Sequence, residues 1–225
     1  WEVGWADTCA VAYDAVWPHL ADDLELQRQA GLDAAGLDRF VRDRLLMTMA
    51  RDITSGNGRN RGNFGAHQRA LIRLALALDE DTEAPTSAAM IAWVLANPKP
   101  VVDSDMGLVD ALENLVYRDG FPPESPGYNM IWTQGIAEVA GVLGEQASAL
   151  RAHPRLRRML LWPHELRMAG RFQPPLGDSG DIFAGVSMLS PSTLMTALRW
   201  NPDPRLAEDL RGRGGAGSGT CSASR

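Results

Sequence analysis

The chain has 225 residues, of which 45% are hydrophobic and 22% charged, and its formal net charge is −6. This composition is typical of a globular protein, and the acidic balance disfavours a nucleic-acid-binding protein, because such proteins are usually basic. The sequence has no run of about 18 apolar residues, so we expect no membrane partner and no membrane-spanning helix.

Both ends of the sequence bear on domain organisation. Residue 1 is Trp, and no signal-peptide pattern follows it. Residues 211–225 are rich in Gly and Ser and have no apolar period, which predicts a disordered tail. We therefore expect a fragment of a longer protein, with one domain over residues 1–210 and a tail over 211–225.

Apolar residues recur at helical spacing along most of the chain. The pattern predicts helices over residues 6–17, 19–30, 34–53, 63–78, 83–95, 108–117 and 130–150, with shorter helices after residue 154. The residues predicted to share a face are Cys9, Ala12, Tyr13 and Val16 in the first helix, Leu37, Phe40, Val41, Leu45 and Thr48 in the third, and Leu71, Leu74, Ala75 and Leu78 in the fourth.

No pair of segments has the turn residues of a β-hairpin, so the sequence predicts an all-α protein. About eight antiparallel helices joined by loops are compatible with a bundle, a solenoid or a closed α/α toroid. A plain repeat scaffold is disfavoured because no regular sequence period is present.

Several apparent motifs lack residues that their chemistry needs. The segment from Gly177 to Asp181 is similar to the nucleophile sequence of trypsin-like proteases, but Asp181 stands where a second glycine is required. Asp103 and Asp105 open like a calcium loop, yet Asn114 occupies the position of the bidentate Glu. No histidine pair has metal-ligand spacing, so we predict no metal site and no cofactor in this chain.

Two regions are candidates for chemistry. The first, Arg51–Leu78, has five arginines and one acid, and contains the string GNFGAHQ at a predicted helix start, where free N–H groups favour an anion. It is equally compatible with a solvated basic face on which Asn63 is an N-cap. A further basic stretch, Arg151–Arg171, is compatible with a binding surface or a solvent-facing helix.

The second region, Tyr117–Trp132, is an aromatic and proline-rich loop with the sequence YRDGFPPESPGYNMIW. Such a loop is costly to order, which favours a functional role. The alternative is a capped loop between helices that packs Phe121 and Tyr128 on the core.

The strings GNFGAHQ, RDGFPPESPGYN and PPLGDSGD together resemble the heparinase II/III-like and alginate lyase-like polysaccharide lyases. The resemblance covers roughly residues 54–181, and its most specific part is ESPGY at residues 124–128. It implies an incomplete α/α toroid of antiparallel helical hairpins, a C-terminal β-sandwich domain that is missing here, and a periplasmic or secreted location.

The resemblance also implies β-elimination on a uronate-containing, anionic polysaccharide. Asn63 matches the family's Asn, which neutralises the uronate carboxylate, and Tyr128 matches its proton-transferring Tyr. His67 lies one helical turn after Asn63 and is the third catalytic candidate, although Phe64 stands where many alginate lyases have His. The substrate-binding candidates are Arg59, Arg61, Gln68, Arg118, Glu124 and Trp132.

We expect Asn63, His67 and Tyr128 to face one cleft. Two alternatives to a lyase stay open. The chain is also compatible with a toroid that binds acidic glycans without turnover. The other alternative is an α/α-toroid glycoside hydrolase, in which Asp119 and Glu124 would be the two carboxylates, although both lie in one loop.

Overall fold

The computed structural model describes residues 2–56, 59–60, 62–97, 100, 103–169, 172–177, 179 and 189–215. Helix makes up 69% of the structure, and no β-strand occurs among the described residues. Their β-type pairing is limited to an isolated bridge between Met168 and Phe172. The predicted all-α class is therefore confirmed, while the toroidal arrangement of hairpins stays a prediction.

The chain divides into two compact units, Trp1–Ala111 and Leu112–Arg225. Each unit has its own buried apolar residues, for example Leu71 in the first and Ile136 in the second. The toroidal domain predicted over residues 1–210 would include both units. In the part of the chain that the structure describes, no helix is long and apolar enough to cross a membrane.

Three helices of the first unit begin at side-chain caps. They are α1 (Glu2–Val16), α2 (Leu24–Ala30), α3 (Ala34–Val41), α4 (Met47–Thr54), α5 (Ala66–Leu78) and α6 (Ser87–Leu95), and α7 (Leu108–Asn114) crosses the unit boundary. The Asp23 and Asp33 carboxylates accept hydrogen bonds from backbone N–H groups in the first turns of α2 and α3, and Thr86 does the same for α6. These bonds satisfy N–H groups that have no partner inside the helix.

Helices α1 and α5 run side by side in the same direction. Asp7 near the start of α1 forms ion pairs with Arg69 (3.3 Å) and Arg73 (2.9 Å) of α5. Tyr13, near the end of α1, lines a cavity together with Leu78, the last residue of α5. The two helices are therefore parallel neighbours, although they are far apart in the sequence.

The buried face of α1 differs from the predicted one. The buried residues are Val3, Ala6, Asp7, Ala10 and Tyr13. Ala12 and Val16, which we predicted to share the face of Tyr13, are exposed. The buried set includes a charged residue, Asp7, because the α5 arginines pair with it in the interface. By contrast, α5 buries Leu71, Leu74, Ala75 and Leu78 as predicted.

A π-helical turn, Arg42–Leu46, joins α3 to α4 and shifts the buried face by one residue. The Met47 N–H donates to the Arg42 carbonyl, an i to i−5 hydrogen bond that accommodates one extra residue. As a result Leu46 is buried, whereas Leu45 and Thr48 are exposed. The predicted face is therefore wrong at Leu45 and Thr48, because it assumed an uninterrupted α-helical period. It is also wrong at Phe40, which lies before the turn and exposes 58% of its surface.

The second unit is built around one long helix, α8. Its helices are α8 (Pro126–Val142), α9 (Ser148–Ala152), α10 (Pro154–Met159), α11 (Trp162–Glu165), α12 (Pro191–Trp200) and α13 (Pro204–Gly215). The predicted helix over residues 130–150 is interrupted at Gly144, whose φ of 54° is left-handed. Helix α13 continues to Gly215, so residues 211–215 of the predicted disordered tail are helical; the rest of that tail, residues 216–225, lies outside the described residues.

Candidate functional site

The predicted site residues fall into two groups, one in each compact unit. Arg59, Asn63, His67 and Gln68 belong to the first unit, and Arg118, Glu124, Tyr128 and Trp132 belong to the second. Arg61 lies outside the described residues. The shared cleft of Asn63, His67 and Tyr128 stays a prediction.

Gln68 is the centre of a buried hydrogen-bond cluster at the start of α5. Its side chain is fully buried. The carboxamide nitrogen donates to the carbonyls of Ser104 (3.0 Å) and Met106 (2.9 Å), while the carboxamide oxygen accepts from the Gly65 N–H at 2.7 Å. We call this set the Gln68 cluster. Since every polar atom of the carboxamide is bonded to backbone, its geometry gives Gln68 a structural role.

His67 is buried beside the Gln68 cluster. Its Nε2 lies 2.9 Å from the Asn60 carbonyl, and its Nδ1 lies 3.3 Å from the Ser104 carbonyl and 3.7 Å from a carboxylate oxygen of Asp105. Both ring nitrogens therefore face groups of the protein itself. The imidazole connects the loop before α5 to the turn around Ser104, which makes it a positioning residue for that loop.

Asn63 differs from both of these neighbours. It precedes α5 and is half-buried. Its backbone carbonyl accepts from the Ala66 N–H at 3.1 Å, but its side-chain amide makes no hydrogen bond within the described part of the chain. The expected N-cap bond from this side chain is absent from those residues, so the amide is available to a ligand. Arg59, on the same loop, is exposed.

Asn129 organises the corresponding cluster in the second unit. This side chain is fully buried in the first turn of α8. Its amide nitrogen donates to the carbonyls of Pro122 (3.0 Å) and Glu124 (2.8 Å), and its oxygen accepts from the Glu124 N–H at 3.0 Å. We call this set the Asn129 cluster. It orders the proline-rich loop that precedes α8.

Two tryptophans extend the Asn129 cluster. Trp132 is buried and its indole N–H donates to Glu124 Oε1 at 3.1 Å. Trp162 donates to the Thr133 hydroxyl at 2.8 Å and packs edge-on against Phe121, with ring centroids 5.1 Å apart. The alternative reading of this loop is thus partly correct, because Phe121 does pack on the core.

Tyr128 lies next to Asn129 and is half-buried. Its hydroxyl, like the Asn63 amide, makes no hydrogen bond among the described residues. The neighbouring Gly127 N–H donates to the Ser179 hydroxyl at 3.2 Å, so two strings of the predicted motif, ESPGY and PPLGDSGD, are in contact. Asp178 and residues 180–181 of the second string lie outside the described residues.

The basic stretch after residue 151 is used largely within the second unit. Arg155 donates to the carbonyls of Leu112 and Glu113 at the end of α7, and Arg158 donates to the Arg118 carbonyl. Arg167 pairs with the buried Asp209 at 2.6 Å. These bonds show that several arginines of this stretch hold helices and loops of the second unit together. Arg118 itself is exposed.

Sequence reasoning missed the structural importance of Asn129 and a polar group around Tyr13. The Tyr13 hydroxyl donates to Asp38, and Arg42 pairs with Glu80 at 3.3 Å. Burial, followed by the bond to Asp38, raises the pKa of Tyr13 to about 12. No local motif marks this group, because its members come from three separate segments of the chain.

Two cavities of about 330 Å³ each lie in the first unit, and neither is lined by a predicted site residue. Within the described residues, no group of three or more His, Cys, Asp or Glu side chains is placed to hold a metal ion. Comparisons with protein-family models, with curated proteins and with solved structures find no match to this chain.

Proposed function

We propose that this chain is the helical part of a polysaccharide lyase that cleaves a uronate-containing polymer by β-elimination. One observation carries the proposal: Asn63 and Tyr128, the two residues that match the lyase motifs best, keep open polar groups within the described residues. Their neighbours Gln68 and Asn129 are fully bonded. The polar atoms of Asn63 and Tyr128 are not among the buried unsatisfied groups of the described residues, so they reach solvent and are accessible to a ligand.

The chemistry assigns a distinct task to each open group. The C5 proton of a uronate is hard to remove because the adjacent carboxylate is already negative. A hydrogen bond from the Asn63 amide to that carboxylate would stabilise the charge that grows in the transition state. The Tyr128 oxygen would take the proton from C5 or deliver one to the departing C4 oxygen. Because a free tyrosine has a pKa of about 10, the proposal needs a cation beside Tyr128, and the exposed Arg118 of the same unit is the candidate.

The bonding of His67 revises its part in the proposal. Both of its ring nitrogens face protein groups, so the imidazole acts through the loop that carries Asn63. The glycoside-hydrolase alternative is supported less well, because both of its carboxylates have local hydrogen bonds. Asp119 accepts from the Phe121 N–H at 3.1 Å, and Glu124 accepts from Trp132.

The test follows the ultraviolet absorbance of the new C4–C5 double bond across a panel of uronate polymers, using the full-length natural protein. Tyr128→Phe should lower the rate by about 10²–10⁴, because only the proton-transferring hydroxyl is lost. Asn63→Ala should lower it by about 10²–10³, by analogy with other donors to developing charge.

Matched controls are available in exposed positions. Tyr117→Phe and Asn114→Ala change the same residue types on the surface and should leave the rate within about twofold of wild type, as expected for surface substitutions. Chain cleavage without the absorbance would instead indicate hydrolysis. Polymer binding without cleavage would favour the non-catalytic binding toroid, and a fully active Tyr128→Phe variant would exclude Tyr128 from the mechanism.

A further inference from the structure

A cavity of about 330 Å³ lies at the end of α5 that is opposite to Asn63. Its lining includes Tyr13, Asp14 and Trp17 from the end of α1 and the turn that follows, Arg42 from the π-helical turn, and Leu78 with Asp79 at the end of α5. Asn63 precedes the other end of this 13-residue helix. With a rise of about 1.5 Å per residue, the cavity is roughly 20 Å from Asn63 and is a separate location.

The inner wall of the cavity is fixed and electrically balanced. Tyr13 is buried, and its hydroxyl donates to Asp38. The guanidinium of Arg42 is compensated by Glu80, and the pKa of that carboxyl is held at about 2, chiefly by hydrogen bonds from Thr82. Because these groups are bonded to one another, the inner wall defines the shape of the cavity and contributes little net charge.

The rim of the cavity is different, because it carries uncompensated negative charge beside an aromatic ring. Asp14 and Asp79 are exposed, and neither carboxylate has a hydrogen bond or an ion pair among the described residues. Trp17 exposes 55% of its surface. Asp79 is held in the left-handed region with φ of 42°, a conformation that Asp and Asn adopt more readily than most residues.

From this combination we infer that the cavity binds a small organic cation that carries an ammonium group. An ammonium group is attracted both to carboxylates and to the face of an indole ring, and cages of aromatic residues bind such groups in other proteins. A volume of this size lies at the lower end of the range for small-molecule sites. A divalent metal is disfavoured, since the described residues provide no cluster of three acidic, His or Cys ligands.

The experiment measures binding of three cations to the full chain by ligand-observed NMR, each beside an uncharged counterpart of similar shape. The pairs are butylammonium with butanol, choline with 3,3-dimethylbutanol, and glucosamine with glucose. Each cation that binds should do so at least about fivefold more tightly than its counterpart, as expected from the ammonium–indole attraction and the two carboxylates. The pair with the largest ratio identifies whether an alkyl amine, a quaternary amine or an amino sugar is preferred.

Variants assign the binding to this cavity. Asp14→Asn, Asp79→Asn and Trp17→Leu should each weaken cation binding by about two- to fivefold, and the double aspartate variant should weaken it more than either single aspartate variant. Asp22→Asn and Trp5→Leu are matched exposed controls that should bind as wild type. Equal binding of charged and uncharged probes, no binding at millimolar concentration, or wild-type binding by the double variant with an unchanged melting temperature would each overturn the inference. None of these readouts depends on lyase activity.

Discussion

The Gln68 and Asn129 clusters both use a buried amide to hold a loop against the start of a helix, one in each compact unit. In each, a fully buried carboxamide near the start of a helix donates to two backbone carbonyls and accepts from one backbone N–H. The two clusters differ in reach, by which we mean the sequence separation between the amide and the carbonyls that it bonds. Gln68 donates to residues 36 and 38 positions away, whereas Asn129 donates to residues 5 and 7 positions away.

The difference in reach separates two roles for a buried amide. The Asn129 cluster orders a short loop, and closing a short loop costs little chain entropy. The Gln68 cluster joins segments that are separated by a long loop. Closing a longer loop costs more chain entropy, and hydrogen bonds such as those of Gln68 offset that cost. In both cases the residue that carries the proposed chemistry lies within five positions of the amide but outside the cluster.

The largest expected effect follows from removing the long-range amide. Gln68→Leu leaves the Gly65 N–H and the Ser104 and Met106 carbonyls without this partner in a buried site. We expect the free energy of unfolding to fall by about 3 kcal/mol, because each unsatisfied buried group costs about 1–3 kcal/mol and part is recovered by relaxation. Urea denaturation measures the change. Gln29→Leu is an exposed control, since its amide bonds Glu25 alone among the described residues, and it should change the free energy of unfolding by less than about 0.5 kcal/mol.

The local cluster should be less sensitive. Asn129→Leu removes three bonds as well, but the loop around Pro122 can open towards water and regain partners there. We expect a loss of about 2 kcal/mol in the free energy of unfolding, measured in the same way. Losses of equal size for the two variants would show that reach does not matter, and a larger loss for Asn129→Leu would reverse the comparison.

Tyr13 is a third buried polar group, and its hydroxyl is bonded to the side chains of Asp38 and Arg42 rather than to backbone. Tyr13→Phe should lower the free energy of unfolding by about 1 kcal/mol, since the bond to Asp38 is lost while the ring still packs. The raised pKa adds a test with a defined sign. Because the folded-state pKa is about 12 and the unfolded value about 10, the contribution is complete below pH 10 and is lost as pH rises from 10 to 12. A wild-type alkaline decline that persists unchanged in Tyr13→Phe would contradict this assignment.

The smallest effect concerns a cap made by an imidazole. His153 Nδ1 accepts from the Arg155 N–H at 3.3 Å at the start of α10, and burial lowers the pKa of His153. The capping stability is therefore complete above the unfolded pKa of about 6.5 and is lost as pH falls below it. His153→Asn keeps a capping oxygen and should flatten this part of the stability–pH curve. His19→Asn, at an exposed position, serves as the control and should leave the curve unchanged.

The sequence predicted helices well where their faces repeat without interruption. The inward face of α5 through Leu71 and Leu78 was predicted correctly, because its four apolar residues at helical spacing lie on one side of a helix. The break at Gly144 was missed, since a single glycine inside an apolar pattern has no unique local meaning. The parallel pairing of α1 with α5 was not predicted, because its contacts, such as the ion pairs of Asp7 with two arginines of α5, join residues far apart in the sequence.

The site was less predictable than the fold. Motif matching selected Asn63 and Tyr128, the two side chains with open polar groups, together with His67 and Gln68, which the protein uses internally. Residue type cannot separate these cases, because an amide or imidazole is equally suited to substrate and to backbone. Only the positions of Ser104 and Met106, more than 30 residues away, decide which role applies.

The π-helical turn Arg42–Leu46 has a consequence for how this chain can vary in length. An extra residue in a helix normally rotates everything after it by about 100°. Here the turn absorbs the extra residue, so Leu37 and Val41 before it and Leu46 and Ala50 after it stay on one side. A one-residue deletion inside the turn, after Arg42, would restore an ordinary helix and leave both buried faces where they are. Relatives of this chain should therefore differ in length by one residue at this turn while the apolar positions on either side of it are kept.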